Sequence, residues 1–486
     1  MDTFEDVLGW RRLDARMLLV HPVRDLGRLL PALIGVLLFG RTTDWGGWWG
    51  LVAVGVPVAL GLARYLTTSY RIAAGRVEVR HGLLNKRVVS ASLDRVRTVD
   101  ITASPIHRLL GLVTLRIGTG LSGGKGEERL ALDGIAVPAA TELRQRLLSD
   151  APVTATEVAI TDGGPHVVLR LDPAWVRFAP LTTSGIVIAG AALGLLAQSF
   201  HTFEIMPSVD LDSVARAGAL VLVFAGLLGI VVTFCLLAVV GYLLTNFGFV
   251  LSQGAADRTW HLRRGLLTTR ETTLDDARIS GVSIGEPLGL RLGHGARLSA
   301  IVTGLDKRHQ GSSVLVPPAP RAEVDRVAVE VLGTPGPVTG SLVTHGPRAR
   351  RRRWTRAMLG SGVVALAALL PAYAATWWLA LLAPVSLAVG AFLAHDRWRS
   401  LGHALVDAHL VARSGSLNRR REALHTASII GWNQRATFFQ RHAGLIDLVA
   451  TTAGGRQHVT VLDLDESAAT VLAIAATPGL LDPFLA

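Results

Sequence analysis

The chain has 486 residues, of which 50% are hydrophobic and 18% charged, with a formal net charge of +12 and a mean hydropathy of +0.41. That balance is too apolar for an ordinary soluble protein. The single cysteine, Cys235, excludes a disulfide or a Cys-based metal site within one chain. The opening MDTFED is acidic and does not read as a cleavable signal peptide.

In chain order, the first apolar blocks are Leu29–Gly40, flanked by Arg28 and Arg41, and the uncharged stretch Trp45–Ala63. About 20 residues cross a bilayer as a helix, so these blocks are predicted to form a first membrane hairpin. Leu29–Gly40 spans only if its flanking arginines snorkel to the headgroups. Then comes YRIAAGRVEVRHGLL from Tyr70, whose alternating Ile72, Val77 and Val79 predict a β-hairpin. Further strands fit RVRTVDI, VTLRIGT and ERLALDGI, a short helix fits SPIHRLLG, and VPAATELRQRLL closes the segment as an amphipathic helix.

Phe178–Phe203 and Ala217–Ala256 have no Asp, Glu, Lys or Arg and predict a second hairpin. The strand pattern then recurs, from FVLSQGAADRTWHLRRGLL to the helix VPPAPRAEVDRVAVEVLG. Ala357–Ala394 predicts a third hairpin, and HALVDAHLVARSGSL to LDESAATVLAIA a third copy. Turn residues mark each copy: Arg80 and Gly82, Arg263 and Gly265, Arg413 and Gly415. From Gly82 to Gly111, and again from Gly415 to Gly444, is 29 residues. Short strands followed by one helix imply a small curved sheet or barrel plugged by that helix.

The predicted fold class is therefore a multi-span α+β membrane protein in which three transmembrane helical hairpins alternate with three β-barrel modules. Residues 1–66 hold the N-terminus and hairpin 1, 67–150 module 1, 151–177 a linker and 178–245 hairpin 2. Residues 246–334 hold module 2, 335–356 a basic linker, 357–395 hairpin 3 and 396–486 module 3. The long segments carry net charges of +5, +8 and +1, and the connections inside the hairpins 0, −2 and 0. By the positive-inside rule, both termini and all three modules are expected on the cytoplasmic side of the membrane. This topology accounts for the basic excess better than nucleic-acid binding does.

At this point the sequence resembles the bacterial pleckstrin-homology-domain membrane proteins of the YdbT kind. The resemblance is carried by YRIAAGRVEVRHGLLNKRVVSASLDRVRTVDI and SPIHRLLGLVTLRIGT, then by EPLGLRLGHGARLSAIVTG, and in the third copy by the arginine-glycine turn and the 29-residue spacing. It implies a seven-strand pleckstrin-like barrel with a C-terminal helix for each module. It also implies a family without established enzyme activity, some members of which are linked to envelope stress and antimicrobial resistance.

Catalytic motifs are missing: HExxH, GxxxxGK[ST], GxSxG and paired cysteines do not occur. GLSGGKGEE (Gly120–Glu128) lacks the Ser/Thr after Lys125 that a phosphate cradle needs, and reads as a hairpin loop. No metal or cofactor is expected. Arg348, Arg350, Arg351, Arg352, Arg353 and Arg356, within PRARRRRWTRAM, are candidate contacts for anionic inner-leaflet lipids. Expected partners are the bilayer, an unidentified protein and a second copy of the chain, with no nucleic acid. The function expected is a non-enzymatic scaffold at the inner leaflet; the alternative is a transporter or lipid-handling protein using six helices.

Overall fold

The computed structural model describes residues 11–12, 14, 16–17, 67, 69–73, 76–81, 87–92, 98–118, 130–141, 143, 166–182, 219–254, 259–303, 313–372 and 380–480. Copy 1 begins with an antiparallel meander of β1 (Arg11–Arg12), β2 (Ser69–Ala73), β3 (Arg76–His81) and β4 (Arg87–Ser92). Its second half is β5 (Thr98–Ala103), a one-turn helix α1 (Pro105–Leu109), β6 (Leu112–Gly118) and β7 (Leu130–Ala136). After β8 (His166–Arg170) and a 3-10 turn at Pro173–Phe178, the helix α2 (Ala219–Asn246) leads into copy 2.

Copy 2 has the meander β9 (Val250–Gln253), β10 (Thr259–Arg264) and β11 (Thr269–Asp275). It continues through β12 (Ile279–Pro287), α3 (Leu288–Leu292), β13 (Gly295–Val302) and β14 (Val314–Pro320) to the closing helix α4 (Arg321–Leu332). A short turn of helix α5 (Gly336–Thr339) precedes α6 (Pro347–Ala372) and α7 (Leu382–Arg399). Copy 3 then runs β15 (Gly402–Val406), β16 (His409–Ser414), β17 (Asn418–His425), β18 (Gly431–Arg435), α8 (Phe438–His442), β19 (Leu445–Thr451), β20 (His458–Asp465) and α9 (Glu466–Ala476).

The one-turn helices follow from local chemistry. In copy 1, Ser104 caps α1 by accepting from the His107 amide, and Pro105 occupies the first turn, where no N–H is needed. In copy 3, Thr437 and Gln440 form a reciprocal capping box. After each of these helices the chain passes through one left-handed residue: Gly111 (φ 70°), His294 (φ 56°) or Gly444 (φ 65°). The turn glycines Gly265 and Gly415 also have positive φ, and a Cβ there would meet the backbone oxygens of Thr268 and Asn418.

The chain divides into two compact units, Met1–Val167 with Gly248–Asp276, and Val168–Phe247 with Ala277–Ala486. The division falls inside copy 2. In the first unit, β11 of copy 2 pairs antiparallel with β5 of copy 1, giving the strand order β7-β6-β5-β11-β10-β9. Trp260, Leu251, Leu262 and Leu274 are buried there, and the Trp260 indole N–H donates to Asp276 Oδ1 at 2.9 Å. In the second unit, β17 of copy 3 pairs with β12 of copy 2, giving β14-β13-β12-β17-β16-β15. The core of copy 3 gathers Leu410 and Leu424, Leu448 and Val461 of the second sheet, and Ala469 and Ala473 of α9.

These facts correct the expected fold class. Among the described residues, no helix is long and apolar enough to cross a membrane. The six-span architecture, and with it the multi-pass inner-membrane location with cytoplasmic modules, is not upheld, and antiparallel sheets shared between copies dominate instead. The physical reason is that apolar stretches do other work. Phe178, the first residue of the second block, is buried beside Gly295 of β13, and Leu181 lies against Gly289. In the 40-residue uncharged block, α2 stops at Asn246, Gly248 turns the chain at positive φ, and Phe249 and Leu251 enter the strand core.

α2 exposes Leu228, Val231, Val232 and Leu236, while its last turns bury Ala238, Tyr242 and Asn246, with the Tyr242 hydroxyl donating to the Pro318 carbonyl at 3.0 Å. In the third block the described uncharged residues are Ala357–Ala372 of α6 and Leu382–Ala394 of α7. The small residues there serve close packing, since a Cβ on Gly390 would press on Ser361. Leu29–Gly40, Trp45–Ala63, most of Phe178–Phe203, Gly120–Glu128, and the later part of the copy 1 closing helix lie outside the described residues.

Candidate anion-binding site

The pairing of β12 with both β13 and β17 sets up a group of charged residues within the second unit. Gly285 stands opposite Arg297 on one side and Arg420 on the other, and Ser283 stands opposite Ser299 and Glu422. Gly285 has no side chain, and an added Cβ would lie 3.0 Å from Arg297 Nε, so the Arg297 guanidinium stem lies over the glycine. Arg297, Arg420 and Glu422 are half-buried, while Arg456 and His458, from the β19–β20 turn, are exposed.

Burial holds the Arg297 guanidinium below its ordinary pKa. Burial does the same to Arg420, with Arg456 and Arg297 adding to the effect and Glu422 opposing it. Burial raises Glu422, while Arg456, Arg420, His458 and a hydrogen bond from Ser283 pull it back. Neither Arg297 nor Arg420 has a hydrogen-bond or ion-pair partner among the described residues.

Other arginines of this unit are committed. Arg291 and Arg419 both meet Asp396, at 3.1 and 3.0 Å, and the Ser416 hydroxyl donates to the same carboxylate. Arg321 pairs with Glu286 and Asp325. Arg421 donates to the carbonyls of Pro337 and Gly340, and burial beside Arg413 and Arg321 lowers it to about 10. Two partly desolvated guanidinium groups across a glycine can accept a carboxylate or phosphate, because both form charge-assisted, bidentate hydrogen bonds with arginine.

The bacterial PH-domain family matches residues 26–151 and 361–476. The chain is a bacterial PH-domain protein. No curated protein and no solved structure matches it. The matched PH regions cover copies 1 and 3, each with its preceding apolar block. Copy 2, whose strands are divided between the two units, lies outside the match. PH-domain modules point to a binding or scaffold role.

The predicted residues of this PH protein fall into place as follows. Within the arginine run, Arg352 and Arg353 both reach Asp463, a fully buried residue at positive φ; Arg353 Nε donates at 2.6 Å, and the Gln440 amide adds a bond at 3.0 Å. Arg350 lies over the Trp398 ring, 4.7 Å from its centre. Arg348 is 3.6 Å from Asp465, and Arg351 and Arg356 are exposed. Thus the run anchors α6 to copy 3 through at least two of its six arginines.

The run also belongs to a set. Arg348 Nη1 lies 3.4 Å from where a Cβ on the left-handed Gly444 would be, and Arg16 Nη1 lies 3.8 Å from the same point at Gly111. Met17 beside Arg16, Phe178 beside Arg177 and Ala349 beside Arg348 are all buried. Copies 1 and 3 are therefore each preceded by an arginine and a buried neighbour that dock at the one-turn helix, and in copy 2 Phe178 takes the place of that neighbour, beside Gly293 and Gly295.

Arg263 faces Glu271 at 3.5 Å, and Arg413 donates to the carbonyls of Ser400 and Arg399. Arg80 lies in β3 opposite Val88, and Gly82 is outside the described residues. Arg297, Arg420 and Asp463 escaped sequence reasoning. A usable signal existed for Arg420: the fifth residue after each turn glycine is an arginine, at Arg87, Arg270 and Arg420.

Proposed function

We propose that this PH-domain protein is a non-enzymatic scaffold that recruits an anionic group of a partner, carboxylate or phosphate, at Arg297 and Arg420. The observation that supports this reading is the contrast between two half-buried guanidinium groups that have no hydrogen-bond or ion-pair partner among the described residues and five other arginines of the unit that do have one. Desolvation strengthens such groups toward an incoming anion. Arg456 supplies further positive potential from the facing turn. The transport alternative depended on a six-helix bundle and is dropped with it. The physiological setting we propose, from the resemblance, is envelope stress or antimicrobial resistance, to be checked by the drug sensitivity of a deletion strain.

Thermal unfolding with inorganic phosphate at constant ionic strength tests the site directly, since a ligand that binds only the folded state raises Tm. Wild type is expected to gain stability with phosphate, and Arg297→Gln and Arg420→Gln to lose that gain. An equal phosphate effect in both variants, or none in wild type, would remove the anion site from the proposal.

A further inference from the structure

Successive copies pair by a common rule, and among the described residues the rule leaves one strand free at each end of the series. Thr272 pairs with Asp100, and Glu422 with Ser283. Thr272 and Glu422 are each the seventh residue after their turn glycine, Gly265 and Gly415. Asp100 and Ser283 are each the eleventh before their left-handed residue, Gly111 and His294. The two junctions, built from different sequences, therefore share one register.

The same count has one further solution. The seventh residue after Gly82 is Val89, and the eleventh before Gly444 is Asn433. That register sets all five residues of β18, Gly431–Arg435, opposite Arg87–Ala91 of β4. Among the described residues both strands are edges: β4 ends the order β1-β2-β3-β4, and β18 begins the order β18-β19-β20. On them Val88 and Ser90, and Asn433, Gln434 and Arg435, are exposed. An open row of backbone donors and acceptors is a template for another strand.

We propose that β18 of one chain pairs antiparallel with β4 of a second copy, Asn433 opposite Val89, continuing between molecules the junction that already joins the copies within one. The contact is head-to-tail, joining two different surfaces. It also carries its own brake. Arg270 and Arg420 face Thr102 and Gly285 at the internal junctions, whereas Arg87 would face Arg435. Like charges directly opposite weaken a strand pair, so association should be weak and should strengthen with salt, which screens that repulsion. The anion site is not involved, and Arg420→Gln should leave association unchanged.

The test uses full-length protein with Cys235→Ala. A chain carrying Val89→Cys is mixed with a differently tagged chain carrying Asn433→Cys and oxidised. A disulfide-linked pair of the two chains is expected. Val88→Cys with Asn433→Cys should not crosslink, because a one-residue slip puts the side chains on opposite faces. Sedimentation equilibrium provides the second measurement. Arg435→Thr, which copies Thr102, should tighten association about two- to fivefold, and Asn433→Pro should abolish it while leaving the thermal transition in place.

No crosslink in the mixture would overturn the proposal. So would equal crosslinking of the slipped pair, or a bond that forms only inside a chain carrying both Val89→Cys and Asn433→Cys. Association indifferent to both Arg435→Thr and Asn433→Pro would overturn it as well.

Discussion

The two internal junctions have the same backbone register and opposite chemistry. At the β5–β11 junction the matched residues are Asp100 and Thr272, both buried, and the hydroxyl donates to the carboxylate at 2.7 Å. At the β12–β17 junction they are Ser283 and Glu422, and the next pair on the same face is Gly285 with Arg420. One junction is sealed by a short polar pair, and the other holds long charged groups over a glycine. Main-chain hydrogen bonds thus set where strands meet, while the side chains at fixed positions decide whether the seam is closed or able to bind.

Breaking the second junction should have the largest effect. A Cβ on Gly281 would lie 2.0 Å from the Ala423 carbonyl oxygen, which is backbone and has little freedom to yield. Gly281→Ala should therefore cost about 3 kcal/mol, read by urea unfolding. The matched position in copy 1 is Thr98, where Thr98→Ala should cost about 0.5 kcal/mol. If both variants unfold alike, the glycine is not what allows β17 to approach.

Opening the sealed junction comes next. Asp100→Ala leaves the buried Thr272 hydroxyl without its acceptor and should cost roughly 1–3 kcal/mol. Asp100→Asn keeps an oxygen there and should cost less; the order of the two denaturation midpoints checks it.

The smallest expected effect is a pH dependence confined to the second junction. Burial raises Glu422 above its ordinary value of 4.5, so the folded state holds this proton more tightly than the unfolded state does. Its stabilisation is present in full below the unfolded value and is lost as pH rises through the folded value. Glu422→Gln should flatten the stability profile in that window and leave it unchanged elsewhere, as equilibrium unfolding across the acid range would show.

Much of the strand order was legible, because period-two alternation and turn glycines act locally. The two counterparts of RHGLLNKRVV do form turns between strands, at Gly265 and Gly415, and in copy 1 its two ends lie in the paired strands β3 and β4. The spacing of 29 also holds in copy 2, from Gly265 to His294. It was hidden because a histidine occupies the left-handed position there. A search for glycine pairs misses a position where backbone conformation recurs and residue type does not. The partner of each strand was not legible at all, since alternation says which face is buried and nothing about which copy lies alongside. Nor was the fate of PRARRRRWTRAM. Its composition suits a headgroup, but Asp463, 110 residues beyond Arg353, takes Arg352 and Arg353.

The arginine that docks ahead of copies 1 and 3 changes where a genetic cut can fall. Arg16, Arg177 and Arg348 all precede the apolar block of their copy, yet Arg16 and Arg348 rest on turns that lie about 95 residues later. A fragment beginning at the first strand would lose its own plug and uncover the space filled by Met17 or Ala349. A truncation that keeps copy 1 or copy 3 intact must therefore start at its arginine, ahead of the apolar block.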